Sequence, residues 1–300
     1  MKRLIVTADD FGAAREVNDA VETAHRGGIL TAASLMVGAP AASDAVARAR
    51  RMVSLRVGLH LVLVEGRPVL PAADVPHLVD GNGLFRSDMA GFGAVMFFNG
   101  AARRELAAEI TAQFEAFRAT GLTLDHCNAH KHFHLHPVIG QLMVEIGRRF
   151  GLRAARIPLE PGHVLRMIEP QTPSAPALLT APFALLLRRR FRAAGMLAPD
   201  SVFGLKWSGQ MTKSRLSGLI RNLPEGLSEI YLHPATGPFE GSASDYRYRE
   251  ELEALMAPEI VAAACDPSVR RGGFSDFLGP PTAIHSGASH GAMPNRSLMP

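Results

Sequence analysis

Short apolar runs that alternate with helix-like stretches restrict the fold of this chain more than any other feature. The strand-like runs are at 4–8, 30–37, 57–64, 153–157 and 229–233. The helix-like stretches are at 14–26, after Pro40, at 101–119 and at 137–150. Such alternation predicts an α/β fold with a parallel sheet, in which an active site gathers at the carboxyl ends of the strands. The pattern leaves open whether the sheet closes into a barrel.

Three segments depart from the alternation. Residues 66–99 are rich in Gly, Pro and Asp and are predicted to form a substrate loop. Residues 158–208 combine prolines, an apolar block and arginines, which is typical of an inserted lid or docking element. Residues 279–300 are predicted to be a poorly ordered tail. We therefore expect a single catalytic domain over residues 1–278.

Composition narrows the classes of protein. The 300 residues contain no apolar run of about 18 residues or more, and no export signal follows Met1, which favours a cytoplasmic protein. Two cysteines, Cys127 and Cys265, are too few for a disulfide framework and fit a reducing compartment. The net charge of +4 is concentrated in arginines at 188–192, and aromatic residues make up 6% of the chain. These observations exclude a nucleic-acid-binding module.

Two of the strand-like runs carry side chains that can bind a metal ion. Asp9 and Asp10 follow the first strand, and Gly12 permits the turn that both carboxylates need in order to face one site. The alternative is a pair of helix-capping aspartates. His60 lies in the middle of an apolar strand, where the alternative is a core histidine with one hydrogen bond.

A third site is the histidine tract. Five of the 12 histidines lie in the 13 residues from Asp125 to Pro137, a segment that reads as extended from 122 to 136. An extended chain places His130, His132, His134 and His136 on one face. Neutral imidazoles at a strand end are typical of a metal site, although a solvent-exposed tract is the alternative. One ion accepts only some of these rings, so the others are expected to contact substrate or to support the ligands.

Together these places supply a carboxylate and two histidines for a divalent ion, and a spare carboxylate as general base. His233 ends a late strand, where it can protonate a leaving nitrogen. The predicted chemistry is metal-dependent amide hydrolysis. A metal-dependent phosphoesterase and a non-catalytic metal-binding protein are the rival hypotheses. A serine hydrolase is disfavoured because no G-x-S-x-G motif stands between a strand-like and a helix-like run.

The chain resembles the YdjC-like carbohydrate deacetylases. The resemblance runs from Met1 to about Ala264 and is carried by four motifs, namely Ala8–Gly12, Gly58–His60, His130–His136 and His233–Pro234. It implies a TIM-barrel-like fold that can be irregular, with the insertion at about 158–208. The implied roles are metal ligation by Asp10, His60 and His130, general base for Asp9, general acid for His233, and orientation of the base by Arg156. A surface arginine that caps a strand is the alternative for Arg156.

Two departures from the family pattern are Asn128, where many relatives carry Asp, and Lys131, where they carry His. With His132 and His134, Asn128 is expected to contact substrate or support the ligands. The tract is most similar to that of the hopanoid-biosynthesis-associated branch. This similarity implies an N-acetylglucosamine unit on a hopanoid glycolipid as substrate, with soluble chitooligosaccharides as the alternative.

The apolar and arginine-rich segment 178–192 fits peripheral contact with the inner face of a membrane, or a helix packed on the barrel. Two histidines and a carboxylate suit Zn²⁺ or Mg²⁺, and also Co²⁺, Ni²⁺ or Mn²⁺. The sequence does not fix the oligomeric state, and a homodimer is compatible with it.

Overall fold

The computed structural model describes residues 1–171 and 175–279 of the chain. The predicted tail lies, from residue 280 onward, outside these residues. Seven strands in the described part form one parallel sheet. They are β1 (Lys2–Phe11), β2 (Ala32–Leu35), β3 (Arg56–Leu61), β4 (Cys127–Ala129), β5 (Ser201–Phe203), β6 (Gly226–Leu232) and β7 (Val269–Arg271).

The strand order is β4-β3-β2-β1-β6-β5, and β7 pairs with the first residues of β1. Single bridges continue the wall from β4 toward β5, where Cys127 pairs with Ala155 and Ala154 pairs with Leu197. The parallel sheet is thus curled into a half-barrel, and the predicted α/β barrel-like class is confirmed. The carboxyl ends of the strands meet at one rim.

Ten helices of the described residues surround the sheet. They are α1 (Arg15–Gly27), α2 (Ala42–Ala49), α3 (Met89–Phe98), α4 (Gly100–Ala119), α5 (Pro137–Arg149), α6 (Gly162–Ile168), α7 (Ala175–Ala193), α8 (Lys213–Arg221), α9 (Tyr248–Met256) and α10 (Pro258–Ala264). In α4 the face that carries Leu106, Ile110, Phe114 and Phe117 is buried. The Asn99 side chain caps the first turn by accepting from the backbone amides of Ala101 and Ala102.

Two segments differ from the sequence prediction. The predicted loop at 66–99 contains helix α3. The sequence pattern did not reveal this helix, because it is apolar on almost every face and shows no amphipathic period. The 158–208 segment contains β5, a strand of the main sheet, as well as α6 and α7. A role of these two helices as a lid stays a prediction. None of the helices in residues 1–171 and 175–279 is long and apolar enough to cross a membrane.

Candidate metal centre and active site

A bulge at the end of β1 brings two adjacent carboxylates to one site. Ala8 pairs with Ala33 of β2 and Phe11 pairs with Leu35, so β1 holds one extra residue between these pairs. Asp10 has a φ of 62°, in the left-handed region that Asp tolerates better than most residues. Since α1 begins at Arg15 after Ala14, neither aspartate caps it. The left-handed residue cancels the strand's alternation, so Asp9 and Asp10 line the same cavity.

Asp10, His60 and His130 form a cluster of potential ligands. Oδ1 of Asp10 lies 3.2 Å from Nε2 of His60 and 3.2 Å from Nδ1 of His130. One ligand atom of each residue lies within 4.8 Å of the other two. The three residues come from the ends of β1, β3 and β4. The structure thus brings together the three side chains that the sequence comparison with the family implied as ligands.

The hydrogen bonds of His60 test whether this cluster suits a cation. The amide nitrogen of Asn128 donates to Asp9 and Ser34, so its oxygen, 2.6 Å away, faces Nδ1 of His60. Nδ1 therefore carries a hydrogen, and in the neutral form of the ring Nε2 turns a lone pair toward Asp10. Nε2 is buried and has no hydrogen-bond partner among the described residues. Two electron-rich atoms at this separation need a positive charge between them, which a divalent ion supplies.

The pKa shifts in this cluster indicate the same deficit of positive charge. Burial raises the pKa of Asp10, but His130 and His60 outweigh it and hold that pKa well below the ordinary value. Burial lowers the pKa of His60, but Asp9 and Asp10 outweigh it and raise that pKa above its ordinary value. The Asp10 direction favours the ionised carboxylate, and the His60 direction favours a positive charge beside it, carried by a proton or a metal ion.

Asp9 belongs to a different cluster, in which one buried arginine lies between two buried carboxylates. Its two oxygens accept from both terminal nitrogens of Arg156, and Oδ1 also accepts from Asn128 at 3.1 Å. Arg156 also donates to Oε1 of Glu229, at 3.0 Å from Nε and 2.7 Å from Nη2, and its guanidinium lies 4.3 Å from the ring centre of Tyr231. Burial raises the pKa of Asp9, but Arg156 holds it far below its ordinary value. Arg156 is fully buried, which excludes a surface arginine.

The histidine tract is not extended, and that prediction is wrong. Only residues 127–129 form a strand, and 130–135 form a tight 3-10 turn. Lys131 and His132 have φ values of 51° and 54° in this turn, which lets the chain leave the sheet and start α5 at Pro137. The four histidines therefore do not share a face.

Each of the remaining tract histidines has its own surroundings. Nε2 of His132 lies 2.8 Å from the Tyr231 hydroxyl, and Nε2 of His134 lies 3.0 Å from the carbonyl of Arg156, to which it donates. His136 packs against Phe97, with ring centres 4.5 Å apart. Burial, with Arg156 as the next cause, lowers the pKa of His134 to about 3, so this ring is neutral. His132 and His134 thus support the Arg156 cluster from the side of the tract.

His233 completes the site from the end of β6. It lines a cavity of about 1610 Å³ together with both aspartates, His60 and His130. Burial lowers the pKa of His233, and Asp10 and Asp9 oppose that shift. Its backbone N–H donates to the buried carboxylate of Glu251, whose pKa burial raises to about 7. The imidazole is therefore positioned to exchange a proton with a molecule in the cavity.

Sequence reasoning missed three supporting residues, Ser34, Glu229 and Glu251. All three are buried, and each accepts hydrogen bonds from a residue of the site. A usable signal was present for one of them. Glu229 is a charged residue inside an apolar strand, as Arg156 is, and two such residues of opposite charge are expected to pair.

Comparisons with known proteins show which family and which relatives this chain is similar to. The family profile described as YdjC-like protein matches residues 3–265. A carbohydrate deacetylase of Geobacillus stearothermophilus is 32% identical over 277 residues, which cover 91% of this chain and 97% of the relative. A carbohydrate deacetylase of Homo sapiens is 31% identical over 308 residues, covering 92% and 91% of the two chains.

Among solved structures, a protein of Enterococcus faecalis V583 to which cellobiose-phosphate cleavage has been ascribed superposes with a TM-score of 0.73. It is 21% identical, and the match covers 93% of this chain and 99% of that one. At this identity the likeness establishes the fold.

Proposed function

The chain belongs to the YdjC-like family, and from that premise we propose that it is a metal-dependent hydrolase that removes the acetyl group from an N-acetylglucosamine unit. The relatives named carbohydrate deacetylase support hydrolysis of a linear amide bond. The observation that carries the metal dependence is His60 Nε2, which is buried, lies 3.2 Å from Oδ1 of Asp10 and has no hydrogen-bond partner among the described residues.

In this proposal Asp10, His60 and His130 hold the ion. A divalent ion bound there supplies a Lewis acid and lowers the pKa of a nearby water. Two imidazoles and a carboxylate suit Zn²⁺, and they also accept Mg²⁺, Co²⁺, Ni²⁺ or Mn²⁺.

Asp9 takes the proton from the attacking water. Its Oδ2 accepts only from Arg156 among the described residues, so one lone pair of that oxygen remains free. Arg156 and Asn128 fix the direction of the carboxylate, which is the geometric requirement for a general base. A carboxylate with so low a pKa is a weak base, so its contribution depends on position.

His233 gives a proton to the leaving nitrogen. An amine leaves only after protonation, because its anion is a very poor leaving group. His233 reaches the cavity from β6, whereas Asp9 and Asp10 reach it from β1, so acid and base act from different strands. The lowered pKa of His233 makes its protonated form a stronger acid.

We further propose that the acetylated sugar is the headgroup of a hopanoid glycolipid. The supporting observation is the outer face of α7, where Phe183, Leu185 and Leu186 are exposed while Leu187 and Phe191 pack on the barrel. The side chains of Leu178 and Leu179 in the predicted docking segment lie outside the described part of the structure. Exposed Arg189 adds a positive charge for anionic lipids.

A second apolar element lies beside α7. Phe98, which is 89% exposed, follows Phe97, whose ring packs on His136. Pro137 follows His136 at the start of α5, and its carbonyl accepts a hydrogen bond from Arg190 of α7. The apolar side chains therefore flank the carboxyl rim of the barrel, the face on which the cavity opens. This arrangement supports peripheral contact with the inner face of a membrane, given the cytoplasmic location that the sequence predicts.

Acetate release tests the proposed function. Metal-reconstituted protein is incubated with an N-acetylglucosaminyl hopanoid and, separately, with soluble chitooligosaccharides. We expect acetate from both and faster release from the glycolipid. Release from the chitooligosaccharides alone contradicts the glycolipid proposal, and no release from either contradicts the deacetylase proposal.

Liposome co-sedimentation tests the membrane contact. A variant with Phe183→Ser and Leu186→Ser should bind anionic liposomes more weakly and still hydrolyse soluble substrate. Val53→Ser is the matched control, because Val53 is 86% exposed and lies before β3, at the opposite end of the barrel. Equal liposome binding by the double variant and the control contradicts this contact.

A further inference from the structure

A chain of buried hydrogen bonds leads into the site from the interior of the barrel. Asp125 Oδ2 lies 2.9 Å from Nδ1 of His126, and Nε2 of His126 lies 3.0 Å from Oγ of Ser34. The chain continues over 3.0 Å from Ser34 to the amide nitrogen of Asn128, and over 2.6 Å from the amide oxygen to His60. The exposed fraction of all five side chains is 3% or less.

The first residues of this chain fix the direction of its hydrogens. Asp125 accepts from the backbone amides of Phe274 and Ser275, at 3.1 Å and 2.8 Å. Burial raises its pKa, but His126 and Ser275 outweigh burial and bring the pKa below the ordinary value. Asp125 is therefore an ionised acceptor, and Nδ1 of His126 donates to it. When the His126 ring carries one hydrogen, that hydrogen is on Nδ1, and Nε2 accepts the hydroxyl hydrogen of Ser34.

The remaining residues pass this direction on to the site. Because the only hydrogen of the Ser34 hydroxyl is used toward His126, its oxygen accepts from Asn128. The second amide hydrogen of Asn128 goes to Asp9. Both nitrogen-bound hydrogens of Asn128 are thus engaged, and its oxygen can only accept from His60.

The packing around His126 shows a place shaped for its ring. A Cβ atom on Gly58 of β3 would lie 2.5 Å from Nδ1 of His126, so only glycine leaves room for the imidazole. Phe274 stacks on the ring with centres 4.3 Å apart. The ring is held by its neighbours, and its two nitrogens are held by Asp125 and Ser34.

We propose that Asp125, His126 and Ser34 are positioning residues that hold His60 in the tautomer with hydrogen on Nδ1. This tautomer leaves Nε2 free as a ligand atom. The metal role of His60 belongs to the proposed function, whereas the tautomer is a property of the folded chain. Groups that bind the second nitrogen of a ligand histidine commonly set both its tautomer and its orientation.

The test compares Ser34→Ala with Ser228→Ala. Ser228 is also a buried strand serine, and its hydroxyl has no hydrogen-bond partner within the described residues. Each variant is labelled with ¹⁵N-histidine, and the NMR signals of the His60 ring nitrogens are recorded with a chelator present to keep the protein free of metal. The signals that are missing in a His60→Gln variant are assigned to His60. Metal affinity is measured by titration calorimetry.

At a pH at which the His60 ring is neutral, we expect hydrogen on Nδ1 of His60 only, in the wild type and in Ser228→Ala. In Ser34→Ala we expect a mixture of tautomers and metal affinity weaker by about 10-fold. His126→Phe, which keeps a ring against Phe274, should give the same result if Ser34→Ala does not fold. The proposal is overturned if folded Ser34→Ala or His126→Phe keeps the wild-type tautomer and the wild-type metal affinity. It is also overturned if Ser228→Ala changes both as much as Ser34→Ala does. Failure to release acetate overturns the proposed function alone, since the tautomer is read without metal or substrate.

Discussion

Asp9 and Asp10 are neighbours in sequence and line one cavity, yet their surroundings are opposite. Both oxygens of Asp9 accept hydrogen bonds from Arg156, whose remaining nitrogen binds Glu229. Asp10 faces only two imidazole nitrogens, and one of them, on His60, has no hydrogen to give. Asp9 thus has a buried arginine as its partner, whereas no arginine or lysine of the described residues pairs with Asp10.

This difference fits the two tasks that we propose for these adjacent residues. A buried carboxylate with its own arginine is fixed in position and does not need an ion. A buried carboxylate that faces nitrogen lone pairs is stable only with an added cation. The bulge at Asp10 makes this division possible, because it turns both side chains to the same side of the sheet.

The largest expected effect distinguishes the two clusters by function. His130→Ala should weaken metal binding by more than about 100-fold, because it removes a ligand. Asp9→Asn should keep the metal and lower kcat by about 10²- to 10⁴-fold, the range for loss of a general base. Calorimetric metal titration and acetate release measure both effects. Equal loss of metal in the two variants would refute the assignment of roles.

The next prediction compares how much each cluster contributes to the free energy of unfolding when a chelator keeps the protein free of metal. Arg156→Met should lower the free energy of unfolding by about 3–5 kcal/mol, because it leaves Asp9 and Glu229 as unpaired buried charges. Asp10→Asn should change it by less than about 1 kcal/mol, since asparagine also tolerates the left-handed conformation of this position. Urea unfolding with comparison of midpoints and slopes measures both. A larger loss in Asp10→Asn than in Arg156→Met would reverse the comparison.

The smallest effect concerns the pH dependence of the Arg156 cluster. His134 has a pKa of about 3 in the folded protein and an ordinary value of 6.5. Below pH 6.5 the unfolded chain therefore takes up a proton that the folded chain refuses, so this contribution to stability is present above pH 6.5 and is lost in acid. The expected slope is about 1.4 kcal/mol per pH unit between pH 6 and pH 5. His134→Gln keeps a donor for the Arg156 carbonyl but cannot titrate, so its unfolding free energy should depend less on pH. Urea unfolding at several pH values measures this dependence. An unchanged dependence on pH would contradict the neutral state of His134.

Much of the fold was predictable, because apolar runs and amphipathic periods report on burial directly. β1, β6 and α4 fall where the pattern places them. The aspartate pair and the histidine tract were identifiable because they are rare polar side chains at strand ends, which a parallel sheet gathers at one rim. His60, and the choice of His130 within the tract, followed from the resemblance to the YdjC-like family.

The sequence could not provide the local conformation of the histidine tract. Alternating histidines are compatible with a strand, and only the left-handed Lys131 and His132 break it. Nor does a sequence pattern identify partners far apart along the chain, such as Ser34 with Asn128 or Asp9 with Arg156. These contacts depend on the register of neighbouring strands, which places small polar residues beside the site.

The most direct test is a crystal structure of the metal-loaded protein with an anomalous difference map at the absorption edge of the metal. A single peak is predicted between Asp10 Oδ1, His60 Nε2 and His130 Nδ1, and the same peak in Asp9→Asn crystals. A peak among other residues, or one that Asp9 ligates in place of Asp10, would contradict the account.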